Sequence, residues 1–307
     1  LYSSAASDVY KRQTSVSRTR SLATRALPGL SGLLLFLQSA LVITGGAVRV
    51  TGSGLGCPTW PECTPGSYTP VPGQAEGALH AWIEFGNRLL TFALLFAALA
   101  TVIAIFRAGR RDLRFLGATQ ILGILGQGVL GGITVLTDLN PLAVGSHLLL
   151  SILLIAAATS LHSRRHHPYV RTSSTQVRIS RLSLAHINVA FIAITIGTLV
   201  TGSGPHAGDV DAPRLDFAIT TITRFHSLSV WLLMAITLVF LFSKSLNFET
   251  KRWLRIFLVL AIAQGGLGYI QYFLGVPEGL VVLHLLGSVL VWIAAWRIRL
   301  SVVRKAA

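Results

Sequence analysis

Apolar stretches long enough to be membrane spans recur along the chain near 29–50, 82–106, 115–136, 142–162, 184–201, 218–242, 254–274 and 280–296, with polar or basic segments between them, the first of these a long outer loop. Each can cross a hydrocarbon core about 30 Å thick as a helix rising about 1.5 Å per residue. The pattern predicts an all-α membrane protein of eight transmembrane helices. Part of it occurs twice: residues 127–147 read QGVLGGITVLTDLNPLAVGSH and residues 264–284 read QGGLGYIQYFLGVPEGLVVLH. The two align without a gap, Gln127 on Gln264 and His147 on His284. In each, a Gly-rich apolar stretch ends in a Pro-containing turn, and a second apolar stretch carries its His about two turns in. The first helix of each half repeats as well, Val50-Thr51-Gly52-Ser53-Gly54 returning as Val200-Thr201-Gly202-Ser203-Gly204.

An internal repeat fixes the architecture. The expected fold is two pseudo-symmetric four-helix bundles running in the same direction across the bilayer. Residues 1–27 are expected to be a disordered or non-native leader, 28–162 the N-terminal half, 163–183 a cytoplasmic linker, 184–297 the C-terminal half and 298–307 a basic tail. His166 and His167 fall in the linker and read as solvated loop residues.

Composition agrees: 52% of the 307 residues are hydrophobic and 12% charged, with a mean hydropathy of +0.65. The net charge of +15 would suggest nucleic acid in a soluble chain, but all except four of the 26 Lys and Arg lie in five clusters at alternate ends of the spans. That is the positive-inside pattern, which places both termini in the cytoplasm of a plasma-membrane protein and removes the case for nucleic-acid binding. The four exceptions are Arg49, Arg88, Arg214 and Arg224.

Counted from the outer end of each span, His147, His226 and His284 lie at one depth. His226 and His284, on the second and fourth helices of one bundle, form the bis-imidazole arrangement that holds a haem across a bundle core. When the second helices are aligned, Asn87 occupies the place of His226, so one half has an amide where the other has a ligand. His80, Glu84 and Asn87 share a face of that helix. Glu84 is the acid inside a span, suited to proton transfer or to an ion pair with Arg88. Arg88 and Arg224, close to Asn87 and His226, are placed to meet propionates, or to snorkel to lipid headgroups. The cysteines, Cys57 and Cys63, share one outer loop; a disulfide is favoured there over a zinc site, as a structural staple or a redox pair.

These features together, including the VTGSGLGCPTWPEC loop, the IEFGNR segment and the His after the third and seventh helices, resemble the haem A synthase family over about residues 28–297. The resemblance implies an oxidoreductase that converts the C8 methyl group of haem O to the formyl group of haem A for terminal oxidases. It implies a haem b cofactor, with its iron, on His226 and His284, and substrate haem O in the first half at His147. Glu84 would be the essential acid and Cys57–Cys63 a disulfide. Partners implied are the lipid bilayer, the haem O-producing enzyme and an electron donor. Asn87 departs from the family, which most often has His there; His147 then holds the substrate iron alone, or His80 contributes. The competing classes are a dihaem b-type electron-transfer protein, which predicts complete ligand pairs in both halves, and a transporter.

Overall fold

The computed structural model describes the backbone of residues 2–171, 177–244 and 246–306 and the side chains of 20–168, 177–244 and 246–303. Eight helices carry it: α1 (Tyr2–Val50), α2 (Ala78–Arg107), α3 (Arg114–Leu136), α4 (Pro141–Ser163), α5 (Val177–Ser203), α6 (Ile219–Leu241), α7 (Phe248–Phe273) and α8 (Glu278–Val303). All eight contain a segment long and apolar enough to cross a membrane, so the protein is a multi-pass membrane protein. Besides the helices and loops the described residues hold a three-residue antiparallel pair, Tyr169–Arg171 with Arg304–Ala306, which joins the linker to the tail, and an isolated bridge between Thr64 and Ser67 in the α1–α2 loop. Most of the expected leader falls on residues whose side chains lie outside the description; Ala23 and Leu27, near its end, are buried.

Within the first half α1 and α3 each pack on α2 and α4, and within the second α5 and α7 each pack on α6 and α8. In both, the second and fourth helices therefore stand diagonally. The halves meet through α1, α4, α5 and α8. Without water, interhelical hydrogen bonds and close packing must do the joining. Trp292 donates its indole N–H to the Ile152 carbonyl at 2.8 Å and Trp296 to Ser160 Oγ at 2.7 Å. Inside the first half Gln38 donates to Gln120 at 2.9 Å, and Gln120 to the Leu154 carbonyl at 3.0 Å.

The repeat extends to the backbone. The α3–α4 turn places Asp138 and Leu139 at φ 49° and 60°, and the α7–α8 turn places the aligned Gly275 and Val276 at 73° and 62°. Left-handed conformations are unfavourable for Leu and above all for β-branched Val, so tertiary contacts must hold them. Leu139 packs against Ala207, Ala212, Leu55 and Val144, and the Val276 carbonyl accepts from His206 Nε2 at 2.8 Å. Asn140 then caps α4, its side chain accepting from Leu142 N at 3.0 Å with Pro141 in the first turn.

Candidate functional site

His226 on α6 and His284 on α8 face each other across the second half with ring centroids 6.5 Å apart and planes at 60°. Imidazole ligates a first-row metal at about 2 Å, so two rings across one ion have centroids roughly 6 Å apart. The His226 Nδ1 bonds the Ala193 carbonyl at 3.0 Å. That bond makes Nδ1 the donor and leaves Nε2 its lone pair, the usual orientation of a metal-binding histidine.

Each candidate ligand is seated on a glycine. A methyl at Gly197 would lie 3.2 Å from His226 Cε1, one at Gly268 3.2 Å from His284 Cε1, and one at Gly131 3.5 Å from His147 Cε1. The repeat shows again behind the rings. Gln264 Nε2 donates to the carbonyl of His284 at 2.8 Å, and Gln127 Nε2 to that of His147 at 3.1 Å. The glutamines marked the repeat in the sequence without a role; the structure gives them one. The glycine seats were not found from sequence, although comparing the two halves column by column would have pointed to Gly131 and Gly268.

In the first half Asn87 Oδ1 accepts from Thr44 Oγ1 at 2.7 Å. His80 is engaged elsewhere, its Nδ1 2.9 Å from the hydroxyl of buried Ser53, which ties the VTGSG turn to the start of α2. The loop between α1 and α2 is closed by the Cys57–Cys63 disulfide, so the zinc alternative does not apply. Gly56 lies directly on the His80 backbone, with no room for a side chain. Cys57 N donates to Glu84 Oε2 at 2.7 Å. Arg88 meets Glu84 Oε1 at 2.7 Å and donates to the carbonyls of Cys57, Thr59 and Glu62 at 2.9, 3.2 and 3.1 Å. Glu84 is 6% exposed, and its carboxylate is thus paired and hydrogen-bonded, as burial requires. Trp60, further along the loop, rests on Gly132, the residue after the seat of His147.

Arg224 is exposed on α6 two residues before His226. Arg49 instead crosses to the second half, where Nη2 donates to the Thr201 carbonyl at 2.8 Å and Nε to that of His206.

The residues fit a haem better than a bare ion. Among the described residues no group of three or more His, Cys, Asp or Glu gathers as ligands to an ion, whereas two axial imidazoles suffice for haem. The Nδ1 atoms of His147 and His284 are buried without a hydrogen-bond partner. One turn from the glycine seats, Gly128 and Gly265 have nothing within 4 Å of where a side chain would begin. Both helices thus have open space one turn from a histidine's seat, which leaves room for a flat macrocycle.

Residues 29–296 match the COX15-CtaA family, described as cytochrome oxidase assembly protein. The chain is 33% identical over 109 residues to the heme A synthase of Geobacillus thermodenitrificans, covering 34% of this chain and 32% of that protein. It is 27% identical over 190 residues to the heme A synthase of Shewanella oneidensis, covering 57% and 56%. With that of Sinorhizobium fredii it shares 24% identity over 332 aligned positions, 89% of each chain. The first two matches span 32% and 56% of the relatives' own lengths.

Proposed function

The chain belongs to the COX15-CtaA family of cytochrome oxidase assembly proteins, and from that membership we propose that it is a haem A synthase, oxidising the C8 methyl group of haem O to a formyl group. The observation that carries this reading is the 6.5 Å separation of His226 and His284 in one half, set against Asn87 in the other. It gives one half a complete axial pair, suited to a resident haem b, and the other an incomplete one, suited to a haem that must react and leave. An electron carrier would have two equivalent sites.

When bound, the haem supplies the electron transfer and the oxidising chemistry. The protein positions it. His226 is fixed by Ala193, and His284 and His147 by their glycine seats and glutamines. Glu84 holds a carboxylate at the disulfide loop, where it moves the protons of the oxidation. The loop, with Trp60 on Gly132, covers the first-half site and limits water. Arg224 offers a cation to the propionates of the second-half haem, and the remaining Nη1 proton of Arg88 one to those of the substrate. The basic clusters support an orientation in a plasma membrane with both termini cytoplasmic and the disulfide loop outside. The haem O-producing enzyme and an electron donor in the same membrane are the partners this reaction requires.

The test is extraction and chromatography of haems from membranes of a host that makes haem O, with and without this protein. Haem A formed only with the protein supports the synthase. Haem b on the purified chain with haem O untouched, even with reductant supplied, would replace it with the dihaem electron carrier.

A further inference from the structure

The internal repeat makes each half a control for the other. The VTGSG segments set α1 on α5, so Ala47 aligns with Gly197 and Thr44 with Ile194. In the second half the imidazole of His226 lies against Gly197, with no methyl's width to spare, and bonds the Ala193 carbonyl. In the first half three residues at the equivalent contact differ together. Asn87 stands for the imidazole, Ala47 for the glycine that seats it, and Thr44 for Ile194, its hydroxyl bonded to Asn87 Oδ1 at 2.7 Å. The aligned contacts pair the same turns of α1 with α2 and of α5 with α6, so the packing register is shared and the chemistry is not.

An amide nitrogen has no basic lone pair to give a metal, and the amide oxygen here is already an acceptor for Thr44. His80, the other imidazole on this helix face, is two turns away and bonded to Ser53. Resting on the haem reading above, we propose that the first half holds its haem iron through His147 alone, with the Thr44–Asn87 pair walling the opposite face and Ala47 excluding an imidazole there. The sixth position is open to a small exogenous ligand, for which carbon monoxide serves as probe.

The experiment uses the full chain purified in detergent with its haems, reduced and titrated with carbon monoxide, with the ferric spin state read by electron paramagnetic resonance. The low-spin haem of His226 and His284 reports folding in every variant. The expected result is one high-spin haem that binds carbon monoxide and is lost in His147→Ala. Asn87→His alone should leave it carbon monoxide-reactive, because the Ala47 methyl holds the new ring off, whereas Asn87→His with Ala47→Gly should make it low-spin and silent. A His147-dependent haem that is low-spin and silent in the unmodified chain overturns the inference and leaves the haem reading standing; its becoming reactive in His80→Ala would then identify the sixth ligand. Low-spin conversion by Asn87→His alone overturns the role of Ala47. A chain from which His147→Ala removes no haem overturns the haem reading of this half and the inference with it.

Discussion

The backbone N–H of Cys57 meets Oε2 of Glu84 at 2.7 Å, which makes the buried acid of α2 and the disulfide loop a single unit. Arg88 completes it, holding the other carboxylate oxygen and three loop carbonyls. Glu84→Ala strands the amide and takes the carboxylate from a guanidinium that keeps only carbonyl partners, a loss of roughly 3 kcal/mol for a buried pair broken on one side. The loop should then be cut by protease and its disulfide reduced faster than in the unmodified protein. Glu84→Gln keeps an acceptor for Cys57 and should protect the loop while lowering haem A formation by about 100-fold or more, the scale of a lost proton-transfer group. Full turnover in Glu84→Gln would leave Glu84 as a loop anchor only.

The glycine seats make a graded prediction. Gly197→Ala and Gly268→Ala would each put a methyl 3.2 Å from an imidazole carbon, whereas Gly131→Ala meets His147 at an ordinary 3.5 Å. The first two should lower the low-spin haem content per chain; the third should leave the haem at His147 in place. Pyridine haemochrome assay of the three purified variants checks the order, and equal losses in all three would dismiss the seats as determinants.

Much of this was legible in the sequence. The eight spans follow from apolar runs, and the pairing of His226 with His284 from equal depth on second and fourth helices. The glycine seats were hidden because a glycine in a Gly-rich helix can serve any close approach, and only coordinates show which ring it faces. The partners of Arg88 were hidden for a different reason. A guanidinium near a haem edge suggests propionates, but the carbonyls of Cys57, Thr59 and Glu62 come within reach only once the loop has folded back on α2. The two left-handed residues of the α7–α8 turn were unreadable at Val276, since nothing local favours that conformation.

Arg49 should prove to be a tie between the halves. Its guanidinium meets the carbonyl of Thr201 in the last turn of α5 and that of His206 just beyond the helix, while the aligned residue in the second half is Leu199. Arg49→Leu removes two charge-assisted hydrogen bonds, each worth about 1.5–3 kcal/mol. Thermal unfolding in detergent, followed by helical circular dichroism, should start earlier, and Arg49→Lys should recover little because one ammonium cannot reproduce the fork. An unchanged unfolding curve for Arg49→Leu would place the joint elsewhere, at Trp292 and Trp296.

The two glutamines separate positioning from ligation. Gln264 is the side chain that bonds the His284 carbonyl, and it lies so close to Gly287 that no side chain fits between them. In the first half the His147 carbonyl is met twice, by Gln127 at 3.1 Å and by Ser151 Oγ at 3.1 Å. Removing one glutamine should therefore matter more in the second half. An interhelical hydrogen bond in a membrane contributes about 0.6–1.7 kcal/mol, so Gln264→Leu should speed haem loss to apomyoglobin by roughly 3- to 20-fold, at 1.4 kcal/mol per tenfold. Gln127→Leu should change the first-half haem less, with Ser151 still in place, and adding Ser151→Ala should bring it to the level of Gln264→Leu. The g values of the low-spin haem should shift in Gln264→Leu, because the imidazole turns while remaining bound. Faster loss with unchanged g values would mean that the helix pair has loosened as a whole and that Gln264 does not orient the ring.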